Sequence, residues 1–402
     1  MNINQDIVIN KNNRFRIVIF TENFFPQIDG VVRVVDLYAK GLKALGYQVL
    51  VVAPKYKHHV HIEEYEVIRV PSFKLFGMMK YPLAIIPWSR KLKKIFQYDG
   101  RQIFHTHAPF FLARKALKIA KKEHVPIITT FHSKYYDDFY TFSNCKWLAK
   151  YLTKDIVKFY LKVNQVWAVS LKTSQTLTSY GYPKDIFVME NGTDFQAPDH
   201  LEEVQEKIRH MYQLVEDEPI ILFVGRLVWQ KNIRFLLNTF KKLDELNFKY
   251  HLMLLGDGEH EEPAKKYAES LNLKGRVSFL GLVSDRSILA GLYSLSKLHF
   301  FPSVYDNAPL VVREAAVMGL PTLLIKDSHS AEIVSNNISG FTEIEDETIM
   351  AKRIISIIED KEKLQEVSLN AQKMIPIDGQ KIVDKVSKQY EKIVKEYYQN
   401  NQ

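Results

Sequence analysis

Short apolar runs alternating with segments of helical periodicity constrain this chain more than any other feature, because the pattern occurs twice. RIVIF, from Arg16 to Phe20, is a short uninterrupted apolar run that reads as a buried strand. A loop with Pro26, Asp29 and Gly30 follows, then VVRVVDLYAKGLKALGYQ, whose apolar spacing is helical and which Gly46 closes. VLVVAP is another buried strand, and strand–helix–strand with a parallel return is the basic α/β unit. QIFHTHAP, a helix from Phe110 to Lys122, VPIITTFH and QVWAVS continue the series. A second series starts near Glu218: PIILFVGRL, HLMLLGDG, RVSFLG, LHFFPS and PTLLI read as strands, and NIRFLLNTFKKL, EHEEPAKKYAESLNL, DRSILAGLYSLS and VREAAVMG as helices. The text between Thr193 and Glu218 is polar, carries Pro198 and reads as the boundary.

The pattern predicts two doubly wound, Rossmann-like α/β domains facing across a cleft, residues 1–195 and 196–375. An amphipathic C-terminal helix, residues 376–402, follows. Ligands of such sheets bind beyond the carboxyl ends of the strands, so the cleft is the natural site.

The 402 residues suffice for two domains at roughly 100–200 residues each. No segment approaches the roughly 18–20 apolar residues needed to span a bilayer, and the N-terminal MNINQDIVINKNNRFRI has no apolar signal core. Cys145 is the only cysteine, which excludes an intrachain disulfide or a cysteine cluster. The expected location is cytoplasmic. Residues 1–200 carry 29 Lys and Arg against 16 Asp and Glu, whereas the rest carry 26 against 30. A basic half joined to a mildly acidic half predicts a surface that meets anions: phospholipid headgroups, nucleic acid or a phosphorylated substrate.

Three constellations carry candidate chemistry. In LHFFPSVYDNAPLVVREAAVMGLP a strand ends at Phe301, a loop holds Asp306, and Asn307, Ala308, Pro309 and Leu310 lead into a helix carrying Glu314. A helix N-terminus suits a phosphate or a sugar hydroxyl, and a carboxylate beyond it can accept from a ribose diol. Asp306 also reads as a simple helix cap and Glu314 as a solvated residue. In FVGRLVWQKN, Arg226 and Lys231 follow a strand and could clamp a diphosphate, Arg as a fork and Lys as a point charge, or be two exposed cations. In the N-terminal half, Gly30 opens a helix where backbone can approach a ligand, and His107 and His132 stand at strand ends, where a lone histidine is more often structural. The GDG at residues 256–258 lacks dinucleotide spacing, and HExxH, GxSxG, GxxxxGKS and DxD are absent.

Taken in order, TENFFPQIDGVVRVVDLYAKGLKALGYQVLVVAP, FHTHAPF, TTFHS, ENGTDF, FVGRLVWQKN, LLGDGEHE and DNAPLVVREAAVMGLP resemble glycosyltransferase family 4 over nearly the whole chain. The resemblance implies the GT-B fold and a metal-independent hexosyltransferase that retains anomeric configuration, with a nucleotide-sugar as co-substrate and no cofactor or metal. Asp306 and Glu314 are similar to the family's E-x7-E pair, the first toward the transferred sugar and the second toward the ribose. Arg226 and Lys231 resemble its diphosphate clamp, His132 the histidine that faces the donor sugar and leaving phosphate, and Gly30 the loop glycine that lets backbone reach the phosphate. The final helix resembles one that crosses back to the N-terminal domain. Two positions depart from the pattern: Asp306 stands where glutamate is usual, and Asp29-Gly30 where two glycines are common.

Residues 72–101 interleave apolar bulk, including Trp88, with Lys74, Lys80, Arg90, Lys91, Lys93 and Lys94. Such a mixture suits an anionic membrane surface; it also reads as a basic helix over a core-packed loop. The TTFHSKYYDDF and DNAPLVVREAA wording is similar to bacterial diacylglycerol glycosyltransferases. That similarity implies a membrane lipid acceptor, UDP-glucose as donor and a peripheral location on the inner face of the cell membrane. A polysaccharide or other soluble acceptor is the first alternative. An epimerase or phosphorylase on the same architecture is another. The last is a non-enzymatic nucleic-acid binder using the basic half, although no RNP-like or helix-turn-helix pattern supports it.

Overall fold

The computed structural model of the protein describes residues 15–56, 64–73, 83–84, 98–215 and 218–400. The chain divides into two compact units, Met1–Asn191 with Gly379–Gln402, and Gly192–Asp378.

The first unit is a seven-stranded parallel sheet of order β3-β2-β1-β6-β7-β8-β9. Its strands are β1 (Arg16–Phe20), β2 (Gln48–Pro54), β3 (Glu66–Val70), β6 (Gln102–Thr106), β7 (Ile127–Phe131), β8 (Gln165–Ala168) and β9 (Phe187–Val188). A separate antiparallel pair joins β4 (Ser72–Phe73) to β5 (Leu83–Ala84). Ile17 lies opposite both Val49 and Ile103, so β1 is central and buried on both faces, as its unbroken apolar run requires. Helix α1 (Gly30–Ala44) buries Val32, Val35, Ala39 and Leu42 at helical spacing. Asp29 caps it by accepting from the Val32 N–H at 2.9 Å, and Gly46 at φ 87° ends it in the left-handed conformation. Helices α2 (Phe111–Lys122), α3 (Tyr135–Ser143), α4 (Lys146–Tyr160) and α5 (Leu171–Ser179) follow.

The second unit is a six-stranded parallel sheet of order β12-β11-β10-β13-β14-β15. The strands are β10 (Ile220–Val224), β11 (His251–Leu255), β12 (Val277–Gly281), β13 (Leu298–Phe301), β14 (Thr322–Ile325) and β15 (Phe341–Glu343). Alternation along β10 shows both faces covered: Ile221 and Phe223 enter one core, Ile220, Leu222 and Val224 the other. The polar stretch read from sequence as the domain boundary contains helix α6 (Leu201–Tyr212). Only Ile208 of it is fully buried, and it packs on α9 (Arg286–Leu295) where Gly291 leaves room. One thin apolar stripe on a charged helix is too weak a pattern to see without that partner. Between them lie α7 (Ile233–Glu245) and α8 (Glu261–Ser270); α10 (Leu310–Val317), α11 (Glu347–Glu359) and α12 (Lys361–Met374) complete the unit.

The last helix, α13 (Gly379–Asn400), returns to the first unit. Val383 meets α1 so closely that a Cβ on Gly41 would lie 2.4 Å from it. Tyr390 stacks on Trp167 and its hydroxyl reaches His105 Nδ1 at 2.6 Å.

Candidate active site

Strand order reverses at β1/β6 in the first unit and at β10/β13 in the second. Beyond the carboxyl ends of strands at such a reversal the flanking loops diverge and leave a crevice. The singled-out residues fall on these loops. Arg226 and Lys231 follow β10, Asp306 to Pro309 follow β13, Gly30 closes the loop after β1, His107 follows β6 and His132 follows β7.

In the second unit a short 3-10 turn, Trp229–Lys231, folds the loop after β10 back so that Lys231 is buried. Its Nζ binds both carboxylate oxygens of Asp306 and lies 5.5 Å from the centre of the Phe301 ring. The Ser303 hydroxyl also donates to Asp306. Asp306 is therefore the partner of Lys231; the N-cap of α10 is Pro309, which offers no side-chain bond of its own. Its first N–H groups, at Leu310 and beyond, carry the partial positive charge of a helix start. Asn307 is buried, with Oδ1 2.9 Å from His329 Nδ1, and the Ser330 hydroxyl donates to the Asp306 carbonyl at 3.1 Å. Ala308 is half-buried. Glu314, half-buried on α10, accepts from the Tyr293 hydroxyl at 3.4 Å. Arg226 is half-buried, and its guanidinium has no hydrogen bond or ion pair among the described residues.

The GDG tripeptide supports this loop from beneath. Asp257 O accepts from Leu227 N at 2.8 Å, and Leu227 O accepts from His260 N at 3.1 Å. A Cβ on Gly256 would lie 2.0 Å from Gly225 O and one on Gly258 2.4 Å from Leu227 O. Those glycines are needed because two backbones touch.

In the first unit, Gly30 begins α1, and a Cβ there would meet nothing within 4 Å among the described residues beyond its chain neighbours and its own helix backbone. The protein itself does not demand glycine at that place. His132 Nε2 is 3.0 Å from His107 Nδ1, and burial holds the His132 imidazole down at about 3. His107 is buried and also kept neutral, first by desolvation and then by His105 and His132.

Sequence reading missed Glu22, on the loop after β1. It accepts from Leu112 N at 2.7 Å and caps α2, whose own N-cap residue, Phe110, offers no side-chain bond. Burial pushes its carboxyl up to about 7. The available signal was a lone acid inside the apolar loop TENFFP. Ser303 and Tyr293 were missed as well, since neither carries a motif. Lys74, Lys80, Trp88, Arg90, Lys91, Lys93 and Lys94 lie outside the described residues.

Two family models match the chain: Glycosyltransferase Family 4 over residues 28–197, and Glycosyl transferases group 1 over residues 204–374. The first lies almost wholly within the first unit and the second within the other. An alpha-monoglucosyldiacylglycerol synthase from Acholeplasma laidlawii is 25% identical over 373 residues, 89% of this chain and 92% of its own length. One from Streptococcus pneumoniae is 24% identical over 329 residues, 81% of this chain and 74% of its own length. The crystal structure of HepE from Anabaena in complex with UDP and glucose has a TM-score of 0.74 at 18% identity, covering 94% of this chain and 100% of that one, a likeness of fold. Two parallel α/β units, each carrying its own family match, make this chain a glycosyltransferase of family 4 with the GT-B fold.

Proposed function

We propose that this glycosyltransferase moves a hexosyl group from a UDP-sugar, UDP-glucose foremost, to a membrane lipid such as diacylglycerol, with retention of anomeric configuration and without a metal. The observation that carries the lipid acceptor is an exposed face on α3 and α4, the helices that directly follow His132. Trp147 is 73% exposed and Tyr151 58%, and they stack with ring centroids 6.0 Å apart. Phe142 is exposed nearby. Lys146, Lys150 and Lys154 are exposed on the same side of α4, one turn apart. Exposed aromatic rings among lysines suit the headgroup region of an anionic bilayer, and alpha-monoglucosyldiacylglycerol synthases are among the relatives. No described helix is long and apolar enough to cross a membrane, so the attachment proposed is peripheral.

For the chemistry, Arg226, Lys231 and the start of α10 meet the diphosphate, Glu314 the ribose, Asp306 and His132 the sugar. As the bond from the anomeric carbon to the phosphate oxygen breaks, negative charge grows on the diphosphate, where these donors are already oriented. The acceptor hydroxyl forms the new bond on the same face, and the departing phosphate oxygen takes its proton. Incubating the enzyme with UDP-[14C]glucose and anionic vesicles containing diacylglycerol, with and without EDTA, tests this. Label extracted into the organic phase in both cases, as an α-glucoside, is the expected result. Label appearing only in water-soluble saccharide sinks the lipid acceptor.

A further inference from the structure

Two histidines at the carboxyl edge of the first sheet share a hydrogen bond, and only one way of placing its proton suits the interior. His107 Nδ1 and His132 Nε2 are 3.0 Å apart. Burial keeps both rings neutral at pH 7, so a single proton lies between these nitrogens. If His132 supplied it, His107 would carry its own proton on Nε2. That atom is buried without a hydrogen-bond partner among the described residues. A proton there would make an orphaned donor, the rarest kind of unpaired buried group; a bare lone pair is better tolerated. The ring cannot turn to escape. His107 is 2% exposed, its ring centroid lies 4.2 Å from that of His105, and Tyr38 meets its edge at 6.1 Å. His105 is itself fixed at both nitrogens, by Tyr390 at 2.6 Å and Thr130 at 2.7 Å.

We propose that His107 donates its Nδ1 proton to His132 Nε2 and thereby holds His132 in the tautomer protonated on Nδ1, which makes His107 a positioning residue for glycosyl transfer. The functional part rests on the reading of His132 as the ring that faces the donor. In that reading His132 offers an uncharged N–H from Nδ1 to the sugar and phosphate oxygens. The other tautomer would set a lone pair against them.

The test uses the full chain labelled with 15N-histidine. Two-bond proton–nitrogen spectra report which ring nitrogen is protonated, and His132→Gln identifies the signals of His132. The expected result is a protonated Nδ1 and a bare Nε2 in the parent. In His107→Phe, which keeps an aromatic ring and removes the donor, His132 moves toward the Nε2-protonated form. With it kcat falls about 10- to 100-fold while KM for the donor changes little. His107→Asn, whose amide N–H takes the place of Nδ1, recovers the parent tautomer and most of kcat. A role in packing alone predicts the reverse order for the two variants. If His107→Phe does not fold, His107→Gln, whose amide extends past the Nδ1 position, replaces it. An Nε2-protonated His132 in the parent, or the same tautomer in parent and non-donating variant, overturns the proposal. A shifted tautomer with unchanged kcat upholds the hydrogen-bond assignment, removes His132 from the reaction, and so overturns the catalytic consequence drawn from it.

Discussion

Lys231 and Asp306, 75 residues apart in sequence, form an ion pair in which one ammonium holds both carboxylate oxygens. Their side chains are 11% and 19% exposed, so neither charge is fully hydrated. Removing one partner from such a pair strands the other. Asp306→Asn is therefore expected to lower stability by about 1–3 kcal/mol. If Lys231 meets the diphosphate, saturating UDP should raise Tm more in Asp306→Asn than in the parent, because the ligand supplies the missing anion. Equal shifts, read by thermal melts with and without UDP, would separate Lys231 from the donor. Lys231→Ala should reduce kcat at saturating donor by roughly 10²–10³.

Gly30 offers the opposite separation. Among the described residues, nothing beyond its chain neighbours and its own helix backbone lies within 4 Å of a Cβ built there, and its φ is not left-handed. Alanine is the better residue at a helix start, so Gly30→Ala should leave Tm unchanged or raise it slightly. A phosphate drawn to the start of α1 would meet the new methyl, and KM for the UDP-sugar should rise severalfold. Unaltered donor kinetics would place the ligand elsewhere.

The strands were legible because parallel strands buried on both faces need unbroken apolar runs, and RIVIF and IILFV are such runs. The loops carrying Arg226, Lys231 and Asp306 were legible because strand ends point to them. Their pairing was not, since it depends on β10 lying beside β13 and on the turn at Trp229–Lys231. Trp147 and Tyr151 show a different limit. WLAKYLTKDIVKFY carries no motif that sets it apart, and only the fold reveals that Ile156, Val157, Phe159 and Tyr160 face inward while the indole stays outside.

That outward face gives a binding prediction independent of catalysis. Lys146, Lys150 and Lys154 are exposed, so changing all three to Gln should leave the fold intact. Each lysine near an anionic surface contributes about 1 kcal/mol, so the triple variant should bind phosphatidylglycerol vesicles roughly a hundredfold more weakly at low salt. Trp147→Ser with Tyr151→Ser should weaken binding and leave its salt dependence in place, because the electrostatic attraction remains. Sedimentation with vesicles across a salt series distinguishes the two. Parent-like binding by both variants would remove this face from the membrane.

Glu22 makes stability depend on pH in an unusual direction. Burial lifts its carboxyl from 4.5 to about 7, in spite of the N–H groups of Leu112 and Ala113 that favour the anion. Between those values the folded protein holds a proton that the unfolded chain releases. Stability must then fall as pH rises through this window, by on the order of 3 kcal/mol, with the full loss present above pH 7. The buried histidines act oppositely. His105, His107 and His132 are held below 6.5 when folded, so their contribution is lost as pH falls. Glu22→Gln isolates the acid, since its amide oxygen can still accept from the start of α2. The variant should match the parent near pH 4.5 and exceed its Tm at pH 8. Parallel Tm curves across that range would show that Glu22 is ionised throughout, and that the N–H groups of α2 outweigh its burial.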